Sequence, residues 1–381
     1  MKRKRTIDAP SGPDTSRPTA VYRPTAGRSH TLTIALPGSI IANCQRHDIK
    51  TALAGQIARA CAVFSVDEIV IFNDGQSQKN QDRRDPRFVR EDEQTGYTGF
   101  SDPDSFLCHL LSYLETPPNL RVALFELHPN LSKAGQLPSL DMPHHLRGDE
   151  WCQYREGVVM ESPAHTARTN SSTDLKRRKG QHAASSDTST TLVEAGLPYP
   201  ISITTPTPIA PHTRVTLKFS SKEDPGEYHD LQAAAVNPSL PRQEEGYYWG
   251  YQTRQAGSLS AVFTECPFDG GYDVSVGTSE RGVPLSSISP VDRDDDAPQA
   301  RLPAKFEHML LVFGGVAGLE AAANADPELR DKGIKGSNVG DIFDCWVNLV
   351  PEQGSRTIRC EEAVWCGLMG LRNYVASNGR S

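Results

Sequence analysis

The stretch MLLVFGGVAGLE, Met309 to Glu320, decides the fold together with the run it leads to, IFDCWVNLVPEQGSRTIRCEEA, Ile342 to Ala363. Each opens on an apolar run of strand length and breaks at glycines, and the second continues into a helix-like stretch. Open α/β sheets hold their ligands at this position, where strands end and backbone N–H groups lie open. Gly314, Gly315 and Gly318 carry no Cβ, so a flat ligand can approach the main chain closely. The spacing is not G-x-G-x-x-G, and no G-x-x-x-x-G-K-[ST] occurs, so neither common phosphate fingerprint applies. An ordinary strand-to-helix turn accounts for one such cluster. Two in succession, the second carrying Arg356 and Arg359 into a helix, favour a pocket for an uncharged adenosine-like group beside a polyanion.

The amino-terminal side supplies the rest of a parallel sheet. Thr31–Leu36 predicts a first strand, ended by Pro37-Gly38, and a helix N-capped by Asp48 follows. Leu53, Ile57, Ala60, Cys61 and Phe64 share its apolar face, and Asp67–Phe72 is the next strand. Strand, helix, strand makes a βαβ unit. Arg59 lies off the Leu53/Ile57 stripe, as a solvated arginine would. Further on, Asp104–Glu115 predicts a helix capped by Asp104, and Arg121–Glu126 and Tyr272–Val276 predict strands. The polar stretch 73–99 predicts a surface loop. His144 and His145, in a Pro-flanked loop, fit structural hydrogen bonding.

From Gly157 the pattern changes. Gly157–Met160, Ile201–Thr205, Arg214–Phe219 and His229–Val236 are short strands between turn residues, the signature of a small β-barrel. Thr166–Thr191 is Ser/Thr-rich, carries Lys176-Arg177-Arg178-Lys179, and predicts a flexible basic excursion. Tyr247-Tyr248-Trp249-Gly250-Tyr251 fits junction packing, with base stacking the sharper alternative. Residues 1–28 predict a disordered tail, whose Lys2-Arg3-Lys4-Arg5 fits nuclear import, weak RNA contact or plain solvation. Val283–Arg301 predicts a linker.

Composition sets outer bounds. A net charge of −7 gives no global support for nucleic-acid binding, so local basic surface must supply it. No apolar run approaches a membrane span and no secretory core follows the amino terminus, which predicts a soluble, intracellular chain with no membrane partner. The eight cysteines show neither C-x-x-C nor paired C/H spacing, so neither a metal site nor a disulfide framework is expected.

FGGVAGLE and VNLVPEQGSRTIRCEEA resemble the two cofactor-binding motifs of the SPOUT (trefoil-knot) RNA methyltransferases, in their eukaryotic and archaeal branch. The likeness recurs in order at Leu36–Phe72, Leu140–Glu150, Tyr154–Val159, Tyr247–Tyr251 and Leu259–Gly282, about half the chain. It implies an α/β parallel-sheet SPOUT fold with a carboxy-terminal trefoil knot and an inserted OB-like barrel. The expected parts are a tail (1–28), a first methyltransferase segment (29–155), the insertion (156–246, with a disordered loop near 162–195) and a second segment (247–381). The implied donor is S-adenosylmethionine, leaving S-adenosylhomocysteine. Its implied contacts are Arg281, Phe313, Gly314, Gly315, Gly318, Leu319, Asn348, Leu349, Pro351, Gln353, Gly354, Ser355 and Ile358. Arg59 and Arg356 are the implied catalytic residues, with Arg59 acting across a homodimer interface. The His144 segment is an implied RNA contact. GSRTIRCEEA also resembles the motif of bacterial enzymes that methylate uridine N3 in ribosomal RNA, which implies that reaction on large-subunit rRNA in the nucleus or nucleolus. The base is open: Glu361 and Glu362 are candidates, or serve only the positive end of a helix. A non-catalytic RNA-binding or spindle-associated protein on the same fold is the alternative.

Overall fold

The computed structural model describes residues 24, 26–76, 97–161, 189–288 and 301–378. In chain order it runs through β1 (Thr31–Pro37), α1 (Ser39–Ala42), α2 (His47–Phe64), β2 (Glu68–Phe72), α3 (Pro103–Glu115) and the single turn α4 (Arg121–Leu124). Five strands follow: β3 (Tyr154–Val159), β4 (Ser189–Glu194), β5 (Ile201–Thr205), β6 (Arg214–Phe219) and β7 (Ala233–Val236). The chain then forms β8 (Gln252–Ala256), α5 (Leu259–Thr264), β9 (Val274–Pro284), β10 (His308–Val312), α6 (Gly318–Ala325), α7 (Pro327–Asp331), β11 (Cys345–Asn348) and α8 (Cys360–Asn378).

The contacts divide it into two units. One, within 28–115, 127–142 and 250–381, is built on a parallel sheet in the order β11-β9-β10-β1-β2-β8. Ile34 lies between Leu311 and Ile69, and Leu311 in turn pairs with Val276. Both faces of these central strands are covered, so their sequences are nearly continuous apolar runs, with Thr31, Thr33 and Glu68 buried among them. Ala35, Val70, Leu310 and Val312 pack towards Leu319 and Ala322 of α6. On the other face α8 lies close, with a Cβ at Gly367 only 3.2 Å from Leu311 and Phe313. Trp365 of α8 meets Phe64 of α2 edge-on at 5.6 Å. Each fully buried Leu, Ile or Val contributes roughly 1.5–3 kcal/mol.

The other unit, within 116–126 and 143–249, holds an antiparallel sheet in the order β5-β4-β3-β6-β7. Its edge strands β5 and β7 come within contact distance, curving the sheet towards closure. Alternation is clean in β5, where Ile201 and Ile203 face in and Ser202 and Thr204 face out. Buried Glu156 accepts from Arg214 Nε (2.6 Å), Thr216 Oγ1 (2.5 Å) and Trp249 Nε1 (2.6 Å), so its charge is fully partnered. Trp249 and Tyr251 are buried, the latter donating to the Leu111 carbonyl within the parallel-sheet unit. Tyr248, Trp249 and Tyr251 are therefore packing, while Tyr247 is half-buried. His144 is buried too, against His145 and Trp249.

Several local expectations are corrected. Asp48 is not the cap of α2 but lies in its first turn, engaged by Arg46, which holds the extended cap position. Asp102 rather than Asp104 caps α3, accepting Ser105 N at 2.9 Å, because Pro103 takes the first helical position. Arg121–Leu124 is helical, not a strand, since the Pro118–Leu120 turn hands Arg121 helical dihedrals. Only Ala233–Val236 of the 229–236 stretch is a strand, Asp230 standing at φ 54° before it. Ser189–Thr191 belongs to β4, since β-branched threonines suit a pleated surface. The strand expected at Tyr272–Val276 begins at Val274 and runs on as β9 to Pro284, with 278–282 an excursion between its pairings with Trp346 and Val347. The Lys2–Arg5 cluster and the basic run at 176–179 lie outside the described residues, as does most of the stretches 73–99 and 283–301. Among the described residues no helix is long and apolar enough to cross a membrane, and no His/Cys/Asp/Glu group could hold a metal.

Candidate functional site

A cavity of about 780 Å³ opens at the carboxyl ends of β10 and β11 and beside the β9 excursion. Its size suits a small-molecule ligand. Parallel strands all end on one side, so the loops after β1, β10 and β11 must meet there. That geometry gathers residues far apart in the chain.

One wall is the bend after β10: Phe313, Gly314, Gly315, Gly318 and Glu320. The back of this bend is filled. A Cβ on Gly315 would lie 3.1 Å from Asp74 Oδ2 and 3.2 Å from Pro37 Cγ and Ser39 Oγ. Ser39 Oγ itself donates to Asp74 Oδ2 at 2.6 Å, a buried pair that fixes the support. Gly318 stands at φ 72°, where a side chain would be strained. The β9 excursion adds Thr278, Ser279, Glu280 and Arg281, with Thr278 Oγ1 tied to the Val312 carbonyl at 3.0 Å.

The bend after β11 supplies Asn348, Leu349, Glu352, Gln353, Arg356 and Ile358. Asn348 shapes this bend from both ends of its amide, donating to the Glu280 carbonyl (3.0 Å) and accepting from Val350 N (3.1 Å). Glu352, a non-glycine residue at φ 57°, puts local strain in the wall, a frequent mark of functional bends. The opposite side is made by Ile40, Asn43, Cys44 and Leu53, and by Arg359, Cys360, Glu361 and Ala363 of the α8 start. Burial pushes the Cys44 thiol above its usual range, Lys50 opposing; Glu361 raises it further and Arg359 again opposes. Burial likewise drives the Cys360 thiol far upward, so both stay protonated and act as packing.

Ten of the residues expected to contact a ligand line this one cavity: Arg281, Phe313, Gly314, Gly315, Gly318, Asn348, Leu349, Gln353, Arg356 and Ile358. Five expected residues lie off its wall. Leu319 is fully buried in the core, on the helical face turned from the cavity. Pro351, Gly354 and Ser355 are exposed on the outer side of their turn. Arg59 is partly buried on α2, its Nη1 donating to the carbonyls of Ser139 (3.2 Å) and Leu140 (2.7 Å). Ile40, Asn43 and Cys44 were not foreseen. Their signal was available, because β1 is the neighbour of β10 and its loop must emerge beside Gly314.

The wall has the chemistry of a nucleoside-sized, mixed-charge ligand. Phe313, Leu349, Ile40 and Ile358 offer apolar contact beside the Gly314–Gly315 main chain. Arg356 and Arg359 are exposed at the rim, while the carboxylates of Glu320 and Glu361 lie deeper.

A family model described as "Putative RNA methyltransferase" matches residues 31–371. A Homo sapiens protein named 28S rRNA (uridine-N(3))-methyltransferase is 40% identical over 355 residues, covering 93% of this chain and 81% of the relative. A Mus musculus protein of the same name is also 40% identical, covering 94% and 80%. One from Drosophila melanogaster is 36% identical, covering 91% of this chain and 62% of its own length.

Proposed function

The chain belongs to the RNA methyltransferase family whose model spans residues 31–371, and on that premise we propose that it methylates N3 of a uridine in large-subunit ribosomal RNA, with S-adenosylmethionine as donor. The observation that carries this reading is the meeting of both glycine-bearing bends in one cavity with Arg356 and Arg359 on its rim. Relatives of 36–40% identity, named for this reaction, support the choice of base and atom.

The donor would lie over Gly314–Gly315, against Phe313, Leu349 and Ile358, with main-chain groups of the two bends reading its adenine and ribose. When bound it supplies an activated methyl group, so the protein need only orient, exclude water and manage charge. Arg356, at the cavity rim, is suited to hold negative charge developing on the uracil oxygens.

The finer fold reading is a trefoil knot. Its support is the fastening of α8 to the segment between β9 and β10: Tyr374 donates to the Pro303 carbonyl (2.9 Å), and Asn378 both donates to and accepts from the Phe306 main chain. The antiparallel unit we read as an OB-like RNA-binding insertion, an architecture that commonly tracks oligonucleotides. A homodimer working in the nucleus or nucleolus completes the proposal.

Calorimetric titration with S-adenosylmethionine tests the donor site. We expect binding by the wild type and none by Gly315→Arg, whose side chain runs into Asp74 and Ser39. Incubation with rRNA transcripts should then yield 3-methyluridine by nucleoside mass spectrometry. Absence of donor binding in the wild type would favour the non-catalytic scaffold.

A further inference from the structure

Uracil presents an acceptor, a donor and an acceptor along its pairing edge: O4, N3–H and O2. A protein edge that reads it needs an acceptor flanked by donors, and bases splayed from RNA are read on this edge. N3 also carries a proton that must leave before or as the methyl arrives. The site therefore needs a carboxylate or imidazole facing the reacting atom, beside a cationic donor.

Among the described residues lining the cavity there is no histidine or aspartate, and the carboxylates are Glu280, Glu320, Glu352 and Glu361. Glu280 and Glu352 are exposed. Glu320 belongs to the β10 bend, where it accepts from Ser279 Oγ (3.2 Å) and lies 3.8 Å from Arg281 Nη1. Glu362, the neighbouring candidate, is exposed and spends its carboxylate on Arg359 N at 2.9 Å, capping α8. Glu361 is different. It is only 6% exposed, lines the cavity, and its Oε1 stands 3.9 Å from Arg359 Nη1, which lines the cavity too. Cys44, on the same side of the cavity, is near enough for both charges to act on its thiol.

We infer that Glu361 is the general base for the acceptor, taking the N3 proton while the Arg359 guanidinium beside it holds the adjacent uracil carbonyl. This rests on the uridine-N3 reading above. In the step, the N3–H bond breaks and its proton passes to the Glu361 carboxylate. The N3 electron pair forms the new bond to the methyl carbon, whose bond to the donor sulfur breaks and leaves its pair on an uncharged sulfur. The proton then leaves Glu361 for water. The same edge rejects cytosine, whose unprotonated N3 would face the carboxylate lone pairs. Arg359, mostly exposed, places its positive charge 3.9 Å from this nearly buried carboxylate.

The test uses the full chain and a target transcript made with uridine or with 5-fluorouridine, whose N3–H is more acidic. Glu361→Gln should lower kcat on uridine RNA by about 10²–10⁴-fold, leave donor affinity by calorimetry unchanged, and recover much of the loss on 5-fluorouridine RNA. An equal loss on both transcripts, or no loss, overturns the assignment. If Glu361→Gln fails to fold, judged by circular dichroism, Glu361→Asp replaces it: it keeps the charge on a shorter arm and must show the same acidity-dependent loss. Wild-type enzyme that binds donor but forms no 3-methyluridine would remove the parent reading and this inference together. Normal wild-type methylation with an indifferent Glu361→Gln removes this inference alone.

Discussion

Lys50 is fully buried, with its ammonium donating to the Ile41 carbonyl at 2.6 Å and lying 4.1 Å from the centre of the Phe100 ring. Burial lowers its pKa to about 8, with Cys44 opposing slightly. Between pH 8 and 10.5 the unfolded chain keeps a proton the native state has shed, so this group makes stability rise with pH across that window. Below pH 8 both states are protonated and the whole penalty is present, at most about 3 kcal/mol. Urea melts should show the advantage of Lys50→Met over wild type shrinking as pH is raised from 7 to 10.5; a constant gap would mean the ammonium is not desolvated. Ile41 adjoins Ile40 of the cavity wall, so the same bond helps to hold that wall. Single residues were the least legible part of the sequence. A helical wheel told that Arg59 leaves the Leu53/Ile57 stripe, but not that the carbonyls of Ser139 and Leu140 wait for it. Helical spacing carries direction within an element, and long-range partners lie beyond it.

Elements were more readable wherever burial imposes a pattern. β1, β2 and β10 are covered on both faces, and such strands read as nearly continuous apolar runs, interrupted here by Thr31 and Thr33, by Glu68 and by His308. β4 escaped because its serine and threonines resemble a linker, and α4 because four residues cannot display a helical period. Caps were misread by two residues at α3, where Pro103 was the overlooked signal. Asp326 shows what a cap is worth here. Its carboxylate, 2% exposed, accepts from Glu328 N (3.0 Å), Leu329 N (3.3 Å) and, across to α5, Ser260 N (2.7 Å). Burial would raise its pKa, yet the bonds from Ser260 and Leu329 prevail and hold it below the usual range. Its contribution is present above the ordinary aspartate pKa and is lost as pH falls through the lower native value. Asp326→Ala should cost about 2–3 kcal/mol at pH 7 by chemical denaturation, and the gap from wild type should narrow in acid.

For the whole molecule, the decisive relation is between strands distant in sequence: Thr31 pairs with His308, and the cavity exists only where their loops meet. The two glycine motifs announced that site, but the β1 loop's share in it follows from strand order, which no local window contains. The proposed dimer makes a sharp prediction at this scale. Gly315→Arg should lack the donor site and Arg59→Ala the acceptor function, each nearly inactive alone. Unfolding and refolding them together should restore methyl transfer if each site draws on both subunits. Mixed samples no more active than either variant would confine the chemistry to a single chain.

α8 closes one side of the cavity, and its far end is clasped at Pro303 and Phe306. The ribosome delivers both glycine bends before this helix. A half-made chain thus carries the recognisable motifs yet offers no finished cup in which to trap a methyl donor. Competence arrives only once α8 has followed both bends, and a message cut short inside α8 yields a protein that retains the signature and lacks the reaction.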